Sequence, residues 1–239
     1  MEIFIDNEPF HVTMRLPGDE IALAIGFCFT EQVIDSMDDL ITVSHCKDIS
    51  TNRVNVYCKH PRNGVALARS GQCRAPSLTS CGICGKQMIS DLSISLQKVQ
   101  KNITVEASRI AALQDAVFDG QEVFHGTGGT HAAGIFTKNG DLLALAEDVG
   151  RHNALDKAIG KVLFARREQE AAMIALTSRL SYEMVQKAAR LGVEVLAGAS
   201  CATSLAIELA GSVEMTLIGF ARGNQGNVYT CPERVILED

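Results

Sequence analysis

The sequence predicts an α/β fold (α+β overall), in which a layered α/β lobe follows a smaller N-terminal α+β lobe. From about residue 133 onward, short apolar strands alternate with amphipathic helices, which indicates a sheet covered by helices and containing some parallel strands. Residues 1–75 carry a hairpin, one helix and further strands instead. Pro76 and the glycine-containing segment after it separate these patterns. We therefore place the lobes at residues 1–75 and 76–239.

The smaller lobe is predicted from local patterns. Two apolar runs flank the turn Asp6-Asn7 and form a hairpin. Asp19 is placed to cap a helix, whose apolar stripe would be Leu23, Phe27 and Ile34. The predicted elements are strands Ile3–Ile5 and Phe10–Met14, helix Glu20–Val33, and strands Leu40–Val43 and Arg53–Cys58.

The larger lobe follows the same reasoning. A helix is predicted beyond Gly85, and a second one capped by Thr104. Asn139-Gly140 is a strong hairpin signal between two strands. The elements are strands Ala133–Thr137 and Leu142–Ala146, helix Ala154–Phe164, strand Ala172–Leu176, helix Tyr182–Leu191, strand Val193–Ala197, helix Ser204–Leu209 and strand Met215–Phe220.

Composition excludes several classes of function. The chain has 239 residues, a net charge of −6 and 46% hydrophobic residues. An acidic chain is a poor non-specific binder of nucleic acid, because phosphate contacts need clustered lysine and arginine. No apolar run reaches the length of a membrane helix, and the N-terminus lacks the pattern of a secretory signal. We expect a cytoplasmic protein whose eight cysteines are not a disulfide framework, with Cys28 and Cys58 buried as small hydrophobes.

Cys81 and Cys84 form a CxxC pair in the segment SCGICGK. Three kinds of chemistry use such a pair: a zinc site, dithiol redox cycling, and carriage of sulfur as a persulfide. Zinc needs four ligands and the chain has no second CxxC, although Cys73 and a histidine could complete an irregular site. A thioredoxin-like pair follows a strand, whereas the residues before Cys81 read as loop. Lys86 and a helix start favour a reactive thiolate. Two unreactive cysteines in a turn remain the alternative.

Three further segments concentrate polar side chains and glycine. HGTGGTHAAGIF, from His125, could cradle phosphate through backbone N–H groups or simply form a tight turn. In EDVGRHNALDKAIG, from Glu147, Arg151 could pair with phosphate and His152 could transfer protons, while Asp148 or Asn153 could cap a helix. GFARGNQGNVYT, from Gly219, suits recognition of a base and its phosphates, or a polar hairpin.

Together these segments resemble the FdhD family of formate dehydrogenase accessory sulfurtransferases. SCGICGK, GGTHAAGIF, EDVGRHNALDKAIG and GFARGNQGNVYT occur in the family's order, and LPGDEIALAIGF is similar to its early helix. The resemblance covers nearly the whole chain, and EDVGRHNALDK is its most specific element. It implies a three-layer α/β/α, cytidine deaminase-like core for the larger lobe, and a homodimer.

The resemblance also implies a function. Family members accept persulfide sulfur from a cysteine desulfurase and pass it to the molybdenum bis(molybdopterin guanine dinucleotide) cofactor before that cofactor enters formate dehydrogenase. The catalytic residues would be Cys81, which carries the persulfide, and Cys84. The cofactor, as bound substrate, would contact Phe220, Ala221, Arg222, Gly223, Asn224 and Gln225. Some relatives have Pro-Gly-Arg where this chain has Gly223-Asn224-Gln225, so one positive charge is missing here.

Deaminase chemistry does not follow from the shared fold. Zinc deaminases need a glutamate two residues after the histidine ligand and a later PCxxC. His131-Ala132-Ala133 lacks that glutamate, and Cys231-Pro232 has the wrong order. We therefore expect no tightly held metal. The rival hypotheses are a zinc- or nucleotide-binding module and a dithiol oxidoreductase. His125, His131, Arg151 and His152 are lesser site candidates on local chemistry alone.

Overall fold

The structure, a computed structural model, describes residues 1–46, 52–59, 96–100, 102–223 and 225–237. The lobe boundary predicted after residue 75 and most of the helix predicted beyond Gly85 lie outside these ranges. That helix was expected to include Leu96 and Val99, which is wrong, because residues 96–100 are not helical. The described elements are β1 (Glu2–Ile5), β2 (Glu8–Val12), α1 (Glu20–Thr30), β3 (Leu40–Cys46), β4 (Arg53–Cys58), β5 (Val105–Glu106), α2 (Ala107–Asp119), α3 (Glu122–Thr127), β6 (His131–Phe136), β7 (Leu142–Asp148), α4 (Arg151–Phe164), β8 (Met173–Leu176), α5 (Tyr182–Leu191), β9 (Val195–Gly198), α6 (Ser204–Ser212), β10 (Thr216–Arg222), β11 (Gln225–Val228) and β12 (Val235–Ile236).

The larger sheet confirms the predicted mixture of strand directions. In the described part of the chain it has six strands in the order β11-β10-β9-β8-β6-β7. β8, β9 and β10 run parallel, and α5 and α6 supply the crossovers between them. β6 is antiparallel to both β7 and β8, and β10 is antiparallel to β11. The carboxyl ends of the three parallel strands therefore meet at the sheet edge where β6 begins.

Helices cover both faces of this sheet. On β8, Ile174 and Leu176 pack in the core that includes α4, α5 and α6, while Met173 and Ala175 pack in the core that includes α2. Side chains of a strand alternate between its two faces, so the continuously apolar strands β8 and β9 serve both cores. The described residues thus form helix, sheet and helix layers.

The N-terminal elements pack onto this body through α1. A four-stranded sheet, in the order β2-β1-β4-β3, contributes Ile3, Ile5, Val54 and Val56 to the core shared with α4 and α5. α1 and α4 meet backbone to backbone. A methyl group at Gly26 would lie 1.9 Å from the Asp156 carbonyl oxygen, and one at Gly160 would lie 1.8 Å from that of Ala22. Glycine at both positions is what permits the contact.

A buried ion pair connects α1, α4 and α5. The Lys187 Nζ atom lies 2.9 Å from both Asp156 carboxylate oxygens, and the Thr30 hydroxyl donates to Asp156 at 2.9 Å. Desolvation alone would lower the pKa of Lys187, but Asp156 and Glu31 outweigh it, so the pKa is raised. The lysine is therefore held as a cation, and α1, α4 and α5 share one charged contact.

Local signals at the helix ends were the least reliable predictions. Asp19 was expected to cap α1, but it has φ 59° and no capping hydrogen bond, and it pairs with Lys161 at 2.7 Å. Thr104 was expected to cap α2, but the short strand β5 comes first and Glu106 precedes the helix. α1 ends at Thr30 rather than Val33, because Gln32 takes a left-handed φ of 60°. Ile34 is buried as predicted, but it lies beyond the helix.

The predicted burial of Cys28 and Cys58 is confirmed, because their side chains are 0% and 5% exposed. Burial raises the pKa of Cys28 far above its ordinary value and that of Cys58 to about 11, so both are poor nucleophiles. Among the described helices, none has the length and apolarity needed to cross a bilayer.

Candidate functional site

A cavity of about 620 Å³ lies at the carboxyl ends of the parallel strands. Open α/β sheets bind ligands at this edge, because the strand ends and the loops after them converge there. Thr177 follows β8, Ala199 follows β9, and Ala221, Arg222 and Gly223 close β10. The remaining lining comes from the glycine-rich segment and from the α2–α3 corner, namely Gly128, Gly129, Thr130, His131, Gln114, Asp115, Phe118, Gln121 and Phe124.

The glycine-rich segment is built as a turn between α3 and β6. Gly128 has φ 65° and its N–H donates to the Phe124 carbonyl, which is a helix ending that glycine favours. The Gly129 N–H donates to the Thr127 hydroxyl at 3.2 Å. These two N–H groups already have partners, so the turn interpretation holds and the predicted backbone phosphate cradle is wrong for them. The segment still lines the cavity.

Glu147 organises this turn from the neighbouring strand. Its carboxylate accepts from the Val123 and Phe124 N–H groups, both at 2.9 Å, and from the Thr130 hydroxyl at 2.6 Å. Desolvation would raise the pKa of Glu147, but these donors outweigh it and lower the pKa. The carboxylate thus holds the start of α3 and the cavity residue Thr130 in place.

Asp148 has a structural role rather than a catalytic one. It is fully buried, pairs with Lys157 at 2.8 Å and accepts from the Leu16 N–H at 3.0 Å. Asn153 donates to Asp148 and to the Met14 carbonyl. The N-cap residue of α4 is Gly150, without a side-chain cap, so the predicted capping by Asp148 or Asn153 is wrong. Both residues instead fasten the segment before α1 to α4.

Basic side chains gather beside the cavity. His131 lines the cavity. Arg151, Arg179 and His152 are close enough to His131 to influence the charge of its ring. Burial is the largest cause that lowers the pKa of His131, and these three neighbours lower it further. His152 Nε2 lies 2.5 Å from a Glu183 carboxylate oxygen. His125 is exposed and its ring packs edge-on against Phe118 at 5.2 Å, outside the cavity lining. Arg151 and Arg179 keep their charge at neutral pH, so this side of the cavity would attract an anionic ligand.

Three residues of the predicted cofactor stretch, Ala221, Arg222 and Gly223, line the cavity, whereas Phe220 does not. Ala221 is buried, while Arg222 reaches the rim and donates from Nε to the Ala199 carbonyl at 2.9 Å. Phe220 is 47% exposed with φ 53°, a conformation that costs an aromatic residue about 1–3 kcal/mol. Its N–H bonds the Ser200 carbonyl at 3.0 Å.

The same stretch is also a hairpin. Arg222 pairs with Gln225, so the hairpin interpretation is confirmed alongside the cavity position. Gly223 lines the cavity, and Gln225 opens β11 without lining it. Asn224 lies outside the described residues.

Cys81 and Cys84, with Cys73 and Lys86, lie outside the described residues. The described cysteines are Cys28, Cys46, Cys58, Cys201 and Cys231, of which Cys46 is exposed. Within the described ranges, no group of three or more histidine, cysteine or acidic residues could hold a metal ion.

Sequence reasoning missed the α2–α3 side of the cavity. Thr177 and Ala199 could have been found, because they lie one and two residues beyond predicted strands whose carboxyl ends belong to the ligand edge. Gln114, Asp115 and Phe118 carry no such signal, because they lie on an amphipathic helix whose exposed face reads as solvated surface.

Comparison with known proteins gives one consistent answer. The model of the FdhD/NarQ family matches residues 1–236. The sulfur carrier protein FdhD of Sulfurisphaera tokodaii is 40% identical over 97% of this chain and 86% of its own length. That of Streptomyces coelicolor is 36% identical over 99% and 87%.

A solved structure agrees. The crystal structure of a Desulfotalea psychrophila protein, assigned as a formate dehydrogenase accessory protein, superposes with a TM-score of 0.79 at 25% identity. The match covers 98% of this chain and 88% of that one. The chain therefore belongs to the FdhD/NarQ family.

Proposed function

We propose that this protein is a sulfur carrier, and a sulfurtransferase, that serves formate dehydrogenase. Relatives that match 97–99% of this chain bear the name sulfur carrier protein, and the structural relative is assigned as a formate dehydrogenase accessory protein. The observation that carries the proposal is the cavity, because it joins the segments GTGGTH and FARG, which are about ninety residues apart, beside a basic cluster. A site with one aromatic, polar wall and one basic rim suits a large nucleotide-bearing anion.

The substrate in this proposal is the molybdenum bis(molybdopterin guanine dinucleotide) cofactor, bound as cargo. Its guanosine and phosphate groups would occupy the cavity, which Ala221, Arg222 and Gly223 of the predicted stretch Phe220 to Gln225 line. Arg222 at the rim and Arg151 beside His131 would offset phosphate charge. Gly223-Asn224-Gln225 replaces an arginine-containing triplet of some relatives. In this proposal, Arg151 on α4 and Arg179 after β8 therefore offset more of the phosphate charge.

Sulfur transfer is assigned to Cys81. The Cys81 thiolate attacks the terminal sulfur of the desulfurase persulfide, forms Cys81–S–SH and releases the desulfurase cysteine as a thiolate. For delivery, the Cys84 thiolate can attack the inner sulfur of Cys81–S–SH, which forms the Cys81–Cys84 disulfide and releases the terminal sulfur as hydrosulfide to molybdenum. A cellular dithiol then reduces the disulfide and restores both thiols. We also propose a cytoplasmic homodimer with a cytidine deaminase-like larger lobe.

Mass spectrometry after desulfurase treatment tests the proposal. Full-length protein incubated with a cysteine desulfurase and cysteine should gain one sulfur atom on the Cys81 peptide. Cys81→Ser should abolish the gain. Cys46→Ser is the matched control, because Cys46 is an exposed cysteine that does not belong to the CxxC motif, and this variant should gain sulfur normally.

Two results would redirect the interpretation. Stoichiometric zinc bound through Cys81 and Cys84 would favour a zinc-binding module. Absence of label from sulfur-35 cysteine, together with equal loss of disulfide reductase activity in Cys81→Ser and Cys84→Ser, would favour a dithiol oxidoreductase.

A further inference from the structure

A buried polar network connects the end of β7, the start of α4 and the segment before α1. Asp148 and Lys157 form its centre, 2.8 Å apart, and their side chains are 0% and 1% exposed. The Asp148 carboxylate accepts from the Leu16 and Gly150 N–H groups, and Lys157 donates to the Leu16 carbonyl at 2.9 Å. Asn153 donates to Asp148 at 3.2 Å. We refer to Asp148, Asn153 and Lys157 as the α4 network.

Stability alone is a weak explanation for the α4 network. Removing an ion pair from water costs energy that the attraction between the charges only roughly offsets, and apolar residues of similar volume are often as stable. Hydrogen bonds do fix a direction, because they weaken steeply away from their preferred geometry. The α4 network bonds both backbone groups of Leu16 and the Met14 carbonyl, so it fixes the course of this segment against α4.

The turn from β7 into α4 is the second feature that the α4 network fixes. Val149 and Gly150 are the two residues between the end of β7 and the start of α4. The Asp148 Oδ1 atom accepts from the Gly150 N–H at 3.1 Å across this turn. Gly150 is the N-cap of α4, and no side chain in the described part of the chain caps it. Asp148 therefore sets the direction in which Arg151, the first residue of α4, leaves the sheet.

Arg151 is a charged neighbour of His131, the histidine that lines the cavity. His131 pairs with Asp148 across β6 and β7, so the α4 network lies at a neighbouring position of the sheet. Burial is the largest cause that lowers the pKa of His131, and Arg151 is the next, ahead of Arg179 and His152. The pKa of His131 therefore reports where the Arg151 cation lies.

We propose that the α4 network is a positioning device, which acts through the Gly150 backbone to direct Arg151 towards the cavity. Asp148 is the positioning residue and does not touch the substrate, whereas Arg151 is the residue that contacts phosphate. The phosphate contact rests on the proposed function, but the direction of Arg151 is a property of the free protein. Because Leu16 belongs to the same set of bonds, the segment before α1 supports the substrate site as well as the fold.

The variant Asp148→Asn/Lys157→Met tests this role. An amide has one acceptor oxygen where a carboxylate has two, so Asn at position 148 cannot serve both the Gly150 and the Leu16 N–H groups. Asp148→Asn alone would leave the Lys157 cation buried without its partner, which endangers folding. Lys157→Met removes that cation and keeps an unbranched side chain of similar length. We refer to the double substitution as the network variant.

NMR titration of His131 in the full-length protein without ligand is the first measurement. The network variant should raise the pKa of His131 towards its ordinary value, as Arg151→Gln should, because the Arg151 cation no longer lies beside the ring. The network variant removes one negative and one positive charge, so its direct effect on the ring is small. A rise in the pKa of His131 therefore indicates that Arg151 has moved.

The matched control is Asp156→Asn/Lys187→Met. It removes the other buried ion pair of α4, which joins the helix to α5 instead of to the segment before α1. Loosening of α4 in general would affect both variants alike. The control should leave the pKa of His131 unchanged, even if its melting temperature falls.

Calorimetric titration with GDP is the second measurement, because GDP carries the guanosine and phosphate groups of the proposed cargo. The network variant should bind GDP about tenfold more weakly at low salt, as expected for the loss of one arginine–phosphate contact. Adding Arg151→Gln to the network variant should cause no further loss, since both changes act through the same contact.

An unchanged pKa of His131 in the folded network variant would overturn the inference, and so would an equal rise in the control. A further tenfold loss of GDP affinity on adding Arg151→Gln would show that the two changes act independently, which would also overturn it. If the wild-type chain bound no GDP, the cofactor cavity would be refuted, while the titration of His131 would still decide whether the α4 network directs Arg151.

Discussion

Replacing Gly160 with alanine tests whether the contact between α1 and α4 holds the N-terminal elements on the larger sheet. The new methyl group would lie 1.8 Å from the backbone oxygen of Ala22. Normal contact requires the helices to move apart by more than an ångström, and no flexible side chain can absorb that shift. Overpacking of this kind costs about 1–3 kcal/mol. The separation also stretches the 2.9 Å contacts between Lys187 and Asp156, which bridge α5 and α4 beside α1.

The net effect combines opposite contributions. Alanine favours a helix interior over glycine by about 1 kcal/mol. Weakening a charged buried hydrogen bond costs about 1.5–3 kcal/mol. We therefore expect Gly160→Ala to lose about 3 kcal/mol of unfolding free energy, or roughly 6–12 °C in melting temperature for a chain of this size.

Urea and thermal unfolding followed by circular dichroism measure this loss. Gly211→Ala is the matched control, because Gly211 is also in a helix and a methyl group there meets only a Thr230 carbon at 3.8 Å. The control should be neutral or more stable by up to about 1 kcal/mol. If Gly160→Ala were as stable as Gly211→Ala, the close helix contact would be refuted.

Three further predictions concern charge. Asp156→Asn should cost about 3–5 kcal/mol of unfolding free energy, because it leaves the Lys187 cation buried without its partner. Denaturant titration at neutral pH measures this loss, and a loss below about 1 kcal/mol would contradict the buried pair. Burial lowers the pKa of His11 to about 4, so the unfolded chain takes up a proton that the folded chain does not, and stability should fall by roughly 2–3 kcal/mol as the pH drops from about 6.5 to about 4. His11→Phe keeps the stacking on Phe27 and should remove that slope, which unfolding at several pH values would reveal. Arg151→Gln should weaken GDP binding about tenfold at low salt and less at high salt, since it removes a phosphate contact. Arg166 is a surface residue paired with Asp38, so Arg166→Gln should leave the GDP affinity unchanged. Equal GDP affinities of the two variants would exclude Arg151 from the site.

The sequence predicted most of the elements of the larger sheet correctly. β8 and β9 are short, continuously apolar and followed or preceded by amphipathic helices, so burial on both faces could be inferred from hydrophobicity alone. The hairpin at Asn139-Gly140 is local chemistry, and Gly140 has the φ of 89° that such a turn needs. Helix caps failed because a capping residue must compete with distant partners, and Asp19 pairs with Lys161 instead.

The candidate site divides in the same way. The sequence marked GTGGTH, EDVGRHN and FARG as unusual, and the structure places residues of the first and third on one cavity. In the second, it separates Asp148 and Asn153, which fasten the N-terminal segment, from Arg151 and His152, which belong to the basic group beside the cavity. Neighbouring residues of one motif therefore have different roles. The direction of each side chain decides which role it has, and the sequence does not give that direction.

By itself, the sequence determined the membership of the chain in its family, the alternation of strands and helices, and the segments that carry chemistry, because these depend on residue type and on spacing along the chain. Tertiary structure alone decided which segments share a cavity, that Gln114 and Asp115 line it, and that Gly26 and Gly160 let two helices meet. Each of those facts depends on residues brought together from distant parts of the chain, and the contact between α1 and α4 leaves no local pattern other than a glycine in each helix.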